Sequence, residues 1–152
     1  MGSRKVFLLT LVVALAVLLG GAPALAAEIN LVINGQPVQS DVPPIIVDSR
    51  TLVPVRVVSE NLGALVDYDH ETRTVSVDMG GTSIQLRLGS REAVVNGRVV
   101  LLDVPAQIIG SRTMVPLRFI GESLGAQVGW DPATRTVTVD SYRIVDIQWE
   151  KR

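Results

Sequence analysis

The sequence predicts an α+β fold of two tandem repeats, each made mainly of antiparallel β-hairpins with one short helix packed on the sheet. Three observations predict it. Short motifs recur 62 residues later without a gap, Asn-Gly pairs separate β-branched runs, and one segment in each half has helical periodicity between a proline and a glycine. We place the repeats at residues 27–89 and 90–152, after a segment 1–26 of different character.

The duplication rests on motifs that keep one register. These are Asn34-Gly35 with Asn96-Gly97, Ser49-Arg50-Thr51 with Ser111-Arg112-Thr113, and Leu62-Gly63-Ala64 with Leu124-Gly125-Ala126. More than half of the positions aligned between residues 33–78 and 95–140 are identical, which shared composition alone does not produce. Because no Pro/Gly/Ser-rich linker separates the halves, we expect them to pack closely, and a shared sheet is one arrangement that would achieve this.

Each repeat begins with a β-branched run, residues 29–33 or 92–95, that leads into Asn-Gly and a second apolar stretch. Asn and Gly both tolerate the positive φ of a two-residue turn, so this pattern predicts a hairpin. A third extended piece follows at residues 43–47 or 105–109, where the prolines indicate a sheet edge or a loop entry.

The segments 51–63 and 113–125 each predict a helix of two or three turns. Pro54 suits the first turn, where no amide donor is needed, and Gly63 suits a left-handed C-terminal stop. The apolar residues lie at i, i+3 and i+7 and form one stripe: Val55, Val58 and Leu62, and equally Leu117, Ile120 and Leu124. So short a helix needs a sheet to pack on.

A second hairpin closes each repeat. Residues 64–68 and 74–78 alternate as strands, and Asp69 opens the connection between them with turn chemistry, as Asp131 does before Pro132. Residues 82–88 predict a further strand between the repeats. Residues 143–150 alternate in the same way after the second one.

Residues 1–26 have the pattern of a secretory signal. Arg4 and Lys5 precede an uncharged apolar run, and Ala24-Leu25-Ala26 matches an A-x-A cleavage site. We expect cleavage there and an extracytoplasmic location, secreted or associated with the cell wall. The alternative is an uncleaved anchor, because the uncharged stretch just reaches the roughly 20 residues that span a bilayer. Only through this segment would the protein then contact a membrane.

Composition excludes several classes of function. The formal net charge is −1, with no basic face predicted, so nucleic acid is not an expected partner. The chain has no cysteine and one histidine, which leaves only oxygen ligands for a metal, and it lacks an Asp-x-Asp-x-Asp-Gly loop for calcium. We expect neither a metal nor a cofactor.

Catalytic groups are also scarce. His70 is the sole histidine, and Pro132 replaces it in the second repeat; G-x-S-x-G and S-x-x-K motifs are absent. A pair of carboxylates for glycoside cleavage could come from Asp69, Glu71, Glu122 and Asp131. Since Asp69 and Asp131 have a turn-capping role, we expect no catalytic residues and no enzyme, with a hydrolase as a remote alternative.

The motifs together resemble a known family. Asn-Gly, Ser-Arg-Thr-Leu/Met-Val-Pro, Glu-x-Leu-Gly-Ala, an aromatic-Asp pair and Thr-Arg-Thr-Val-x-Val occur twice within about residues 28–141. This pattern is similar to the copper amine oxidase N-terminal-like domain, or stalk domain, of exported bacterial proteins. The resemblance implies a small α+β accessory module at the cell surface. It does not imply amine oxidation, for which three copper histidines and a tyrosine after Asn would be needed; neither Tyr68 nor Tyr142 follows Asn.

Four residues are candidates for ligand binding. Tyr68 and Trp130 occupy equivalent positions, and exposed aromatic faces commonly hold sugar rings, although each ring could instead cover the core. Arg56 and Arg118 lie opposite the apolar helix stripe and could form a polar ligand surface or simple ion pairs with the glutamates four residues later. Arg50 and Arg112 precede the helices and could likewise bind an anionic polymer or satisfy backbone carbonyls.

We therefore expect a non-catalytic exported accessory or binding module that attaches to cell-envelope polysaccharide or peptidoglycan. The alternative is a structural or assembly protein that pairs through strand edges with itself or with another exported protein. No oligomeric state is predicted.

Overall fold

A computed structural model describes residues 27–141. The predicted signal segment 1–26 and the strand predicted over residues 143–150 lie outside the described residues, as does Tyr142. No helix in residues 27–141 is long and apolar enough to cross a membrane.

The described part is mostly β-sheet with two short helices, as an α+β fold requires. In chain order its elements are β1 (Asn30–Ile33), β2 (Gln36–Val38), β3 (Ile45–Val47), β4 (Arg50–Pro54), α1 (Val55–Asn61), β5 (Leu65–Asp69), β6 (Thr74–Met79), β7 (Thr82–Arg87), β8 (Glu92–Val95), β9 (Arg98–Leu101), β10 (Gln107–Ile109), β11 (Arg112–Pro116), α2 (Leu117–Ser123), β12 (Ala126–Asp131) and β13 (Thr136–Ser141).

These strands form three sheets, with the orders β12-β13-β1-β2, β10-β11-β4-β3 and β5-β6-β7-β8-β9. Neighbouring strands are antiparallel except β1 and β13, which are parallel. Both kinds of predicted hairpin are present. Asn34 (φ 51°) and Gly35 (φ 75°) make the turn between β1 and β2, and β5 pairs with β6. Strand β7 confirms the prediction for residues 82–88.

The start of each helix differs from the prediction. Pro54 is not in the first helical turn; it is the last residue of strand β4 and the N-cap of α1, with an extended backbone. The prediction missed strands β4 and β11 because the proline pattern describes only local preference, whereas these strands are held by pairing with distant ones. The predicted stop is confirmed, since Gly63 has φ 97° just after the helix.

The sheet β10-β11-β4-β3 joins the two halves of the chain at its centre. Val53 of β4 lies opposite Val115 of β11, and both side chains are fully buried. Pro54 pairs with Met114, and Leu52 pairs with Pro116, so the register is symmetric about the two valines.

The other two sheets also mix the halves. The β8–β9 hairpin follows β7 along the chain and extends the sheet of β5, β6 and β7, whereas the β1–β2 hairpin joins β12 and β13. In the first of these sheets β7 is the neighbour of β6, and in the second β1 takes the corresponding place as the neighbour of β13. Each sheet therefore contains strands from both the first and the second half of the sequence.

The helices cover the core between these sheets. Val55 and Val58 of α1 and Leu117 and Ile120 of α2 are buried, and they join one apolar cluster with the inner residues of β6, β7 and β13. Burying such side chains stabilises the fold by about 1.5–3 kcal/mol each. This cluster fixes the helices, and with them the arginines on their outer faces.

Candidate functional site

Two surface grooves lie at positions related by the 62-residue offset. The Trp130 groove has a volume of 520 Å³, and the Tyr68 groove has a volume of 570 Å³. The first is lined by Ser49, Arg50, Thr51, Leu101, Leu102, Asp103, Pro116, Leu117, Arg118, Phe119, Val128, Gly129, Trp130 and Val137. The second is lined by the counterpart of every one of these residues and also by Glu60 and Asn61.

In the Trp130 groove, β12 presents an exposed aromatic ring. Trp130 lies opposite Val137 of β13 and is 42% exposed. Gly129 precedes it opposite Thr138, so strand alternation directs this position to the other face of β12 and only its backbone lines the groove. Phe119, partly buried in the first turn of α2, adds a second ring to the lining. The groove can therefore offer an apolar face to a ring-shaped ligand.

Each groove carries a helical arginine at its rim. In α2, Arg118 Nη1 donates to Glu122 Oε1 at 3.0 Å, and in α1, Arg56 Nη1 donates to Glu60 Oε1 at 2.8 Å. Both arginine side chains are more than half exposed. A guanidinium has five donors, so these ion pairs leave other N–H groups available to a ligand.

A second arginine reaches each groove from the other half of the chain. The turns that place these arginines have positive φ at two successive residues, Asp48 (47°) and Ser49 (62°) before Arg50, and Gly110 (55°) and Ser111 (64°) before Arg112. Such two-residue turns match the twist of the flanking strands, here β3 with β4 and β10 with β11.

These arginines form ion pairs that the sequence reasoning did not predict. Arg50 Nε donates to Asp103 Oδ2 at 2.7 Å, whereas Arg112 donates from Nε to Asp41 Oδ1 at 3.1 Å and from Nη2 to Oδ2. The hydrogen bond from Arg112 lowers the pKa of Asp41 below its ordinary value. One signal could have revealed both pairs, because Asp41 and Asp103 are themselves related by the 62-residue offset.

The Tyr68 groove has a more polar lining. Tyr68 is partly buried, and its ring stands perpendicular to the His70 ring with centroids 4.7 Å apart. Asp67 is exposed where the other groove has Gly129. Ser40 contributes a buried hydroxyl that has no hydrogen-bond partner.

The carboxylates considered for glycoside cleavage have structural partners. Asp69 accepts hydrogen bonds from the Glu71 amide at 2.8 Å and from the Thr72 hydroxyl at 2.8 Å. Asp131 does the same with Ala133 and Thr134. Led by the threonine hydroxyls, these bonds lower the pKa of both aspartates. A raised pKa would suit a general acid, so these groups fit the predicted turn-capping role better.

The structure places the four candidate residues in two separate sites. Tyr68 and Arg56 line one groove, and Trp130 and Arg118 line the other. The sequence reasoning missed Phe119 and Leu101 in the Trp130 groove. Within residues 27–141, no group of three or more His, Asp or Glu side chains is arranged to hold a metal ion.

Comparison with known proteins places this architecture in a family. The family model described as the copper amine oxidase N-terminal domain matches residues 32–139. A protein of Brevibacillus choshinensis named "Protease inhibitor" is 28% identical over 119 residues, which cover 78% of this chain and 34% of the relative. The chain thus spans about a third of that relative's length. The family's domain is a non-catalytic accessory domain. Since the match covers most of the chain, this protein belongs to the copper amine oxidase N-terminal domain family.

Proposed function

We propose that this chain is a non-catalytic exported binding module that attaches to cell-envelope polysaccharide or peptidoglycan through its two grooves, chiefly the Trp130 groove. The observation that carries the proposal is a groove lined by the exposed Trp130 ring and by Phe119, with Arg118 at the rim. Sugar rings stack their C–H faces on aromatic rings, and their hydroxyl groups need donors and acceptors around that face.

The arginines of the Trp130 groove favour acidic polymers among the polysaccharides of the cell envelope. Arg118 and Arg50 reach the Trp130 groove from opposite sides, each with one carboxylate partner and with half or more of its side chain exposed. An exposed guanidinium binds carboxylates and phosphates better than neutral hydroxyl groups. We therefore expect wall polymers that carry acidic groups to bind better than neutral glycans.

The proposal includes two tandem copies of the family's domain, over residues 27–89 and 90–152. Its support is the recurrence of element bounds, turns and groove linings at one offset. Two related grooves on one chain suit a polymer of repeating units, because binding at the first site raises the effective concentration of the ligand at the second.

The absence of catalysis is part of the proposal. The best-placed carboxylates cap turns, and the His70 ring packs against the Tyr68 ring. An extracytoplasmic location fits the signal pattern of residues 1–26.

Sedimentation with purified bacterial cell walls tests the proposal. The wild-type chain should pellet with the walls, and Trp130→Ala should shift most of the protein to the supernatant. A stacked ring contributes about 0.5–1.5 kcal/mol, so we expect an affinity loss of roughly three- to tenfold. Leu65→Ala is the matched control, because Leu65 is 77% exposed on β5 and lines neither groove.

Wild-type protein that stays wholly in the supernatant would refute wall attachment. Equal binding by Trp130→Ala and wild type would remove the Trp130 groove as the site. Acid-extracted walls, which have lost their anionic polymers, separate the neutral glycan from the acidic one; full binding to them would contradict the preference assigned to the arginines.

A second candidate function is binding of an exported protease. The name of the Brevibacillus choshinensis relative supports it, together with the identity that spans most of this chain. The test is residual activity of a panel of secreted proteases after incubation with excess protein. Loss of activity without cleavage of the added protein would support inhibition. Unchanged activity across the panel would exclude it for the proteases tested.

A further inference from the structure

Strand β9 is an open edge of the five-stranded sheet. It pairs with β8 on one side, and no described strand pairs with it on the other. All four of its residues are exposed, including Val99 at 63% and Leu101 at 75%. An exposed apolar edge strand is a ready template for another strand, and natural proteins usually blunt such edges.

The register with β8 shows which backbone groups are free. Val95 and Arg98 flank the two-residue turn and form a hydrogen-bonded pair, so the next pair, Val94 with Val99, is not hydrogen-bonded. Because hydrogen-bonded and non-hydrogen-bonded pairs alternate along the ladder, Glu92 with Leu101 is a second non-hydrogen-bonded pair. Val99 and Leu101 therefore direct their N–H and C=O groups away from β8, which gives the edge two free donors and two free acceptors.

Strand β2, the counterpart of β9, has a blunted edge. Pro37 stands at the position equivalent to Val99 and lies opposite Val32 in the same kind of non-hydrogen-bonded pair. A residue other than proline at this position would direct its N–H group away from β1, and Pro37 has no such group. The first half of the chain closes its edge, and the second half leaves it open and apolar.

We propose that β9 pairs antiparallel with β9 of a second copy of this chain, about a two-fold axis at Val100. In that register Val99 lies opposite the second copy's Leu101, and these two residues exchange hydrogen bonds in both directions. Leu101 and the second copy's Val99 do the same, so the outward N–H and C=O groups of both strands are all hydrogen-bonded. Apolar side chains then oppose apolar side chains on the outer face.

The charges agree with this register. Arg98 of one copy lies across from the second copy's Leu102, one residue before Asp103. Each Arg98 therefore approaches the second copy's Asp103, which already pairs with Arg50 of its own copy, and the two Arg98 side chains stay four residues apart along the strands. A contact of four residues per copy is well below the size of a permanent interface, so the dimer is a weak, reversible one.

Sedimentation velocity over a concentration series tests the pairing, with the full chain and no added glycan. The weight-average sedimentation coefficient of wild type should rise with concentration toward that of a dimer. Val99→Pro should keep the monomer value throughout. Because it deletes an N–H that points away from β8, as Pro37 does in β2, its thermal melting at low concentration should match that of wild type.

A wild-type coefficient that is independent of concentration overturns the proposal, and so does a Val99→Pro variant that associates like wild type, since another surface would then be responsible. Should Val99→Pro melt early, Val99→Lys replaces it, because a charge opposite the second copy's Leu101 disrupts pairing without changing the backbone. Leu65→Ala, on the other edge of the same sheet, should associate normally. No outcome depends on glycan binding.

Discussion

The Trp130 groove and the Tyr68 groove share a frame and differ in their lining. Both have a proline before a helix, an arginine paired with a glutamate four residues later, and an arginine from the other half paired with an aspartate. Six lining positions differ, and at one of them Leu117 stands for Val55. The other five are more apolar in the Trp130 groove: Gln39 against Leu101, Ser40 against Leu102, Val57 against Phe119, Asp67 against Gly129, and Tyr68 against Trp130. The residues that build the groove are the same in both halves of the chain, and several residues of its inner lining differ.

The same contrast extends to the helix residues beneath the grooves. Gly121 of α2 packs against Val128, which lines the Trp130 groove, and its counterpart in α1 is Ser59, whose side chain is fully buried. Variants at these positions and at the ion pairs test whether the two halves differ as the structure indicates.

The largest expected effect belongs to Gly121→Ser, which gives α2 the residue that α1 has. A Cβ at position 121 would lie 2.7 Å from Val128 Cγ2, and valine has little rotamer freedom to move away. Overpacking of this kind costs about 1–3 kcal/mol, which exceeds the few tenths of a kcal/mol gained from helix propensity. Urea unfolding should show a lower free energy of unfolding. Stability equal to wild type would mean that the helix shifts without strain.

Ser59→Ala should have a smaller effect of opposite sign. The Ser59 hydroxyl is buried and has no hydrogen-bond partner, and an unsatisfied buried group costs about 1–3 kcal/mol. We expect an increase of about 1 kcal/mol in the free energy of unfolding. Ser123→Ala is the control, because Ser123 of α2 is partly exposed and gains only helix propensity. A loss of stability in Ser59→Ala would show that the hydroxyl is satisfied.

Removing either of the two ion pairs that join the halves of the chain should change stability by less than the helix variants do. Arg112 makes two hydrogen bonds to Asp41, whereas Arg50 makes one to Asp103. Bidentate geometry is the stronger arrangement, although both pairs are exposed and contribute little. Differential scanning calorimetry should therefore show a slightly larger drop in melting temperature for Arg112→Ala than for Arg50→Ala. The reverse order would contradict the reported geometry.

The smallest effect concerns pH. Because the folded-state pKa of Asp41 lies below the ordinary 3.8, its ion pair stabilises the fold at pH values above 3.8 and is lost as the pH falls through the lowered pKa. Wild type should be slightly more stable than Asp41→Asn at neutral pH, and the two should converge in acid. A difference that persists unchanged below that range would assign it to something other than the charge of Asp41.

The predictable parts of the fold are those with local causes. Asn34-Gly35, Gly63 and Asp69 adopt the turn, stop and cap that their residue types favour. The prediction failed at strands β4 and β11, where Pro54 and Pro116 indicate a helix start and the preceding residues are held by partners far away in sequence.

The grooves could be predicted only in part. Trp130 with Arg118, and Tyr68 with Arg56, share a groove because a strand and a helix adjacent in sequence pack together. Arg112 reaches Asp41 across 71 residues, and only the fold brings them together. The parallel pairing of β1 with β13 likewise has no local cause, since it depends on closure of the whole chain.

We propose that glycan binding follows the lining of a groove and not its frame. Isothermal titration with soluble fragments released from purified cell walls tests it on two exchange variants. One carries Phe119→Val and Trp130→Tyr, the residues that the Tyr68 groove has at these positions. The other carries Val57→Phe and Tyr68→Trp.

The first variant should lose roughly three- to tenfold in affinity, as expected for the loss of an apolar aromatic contact, and the second should gain affinity over wild type. Affinities that stay at the wild-type value in both variants, with the fold intact by circular dichroism, would contradict the claim.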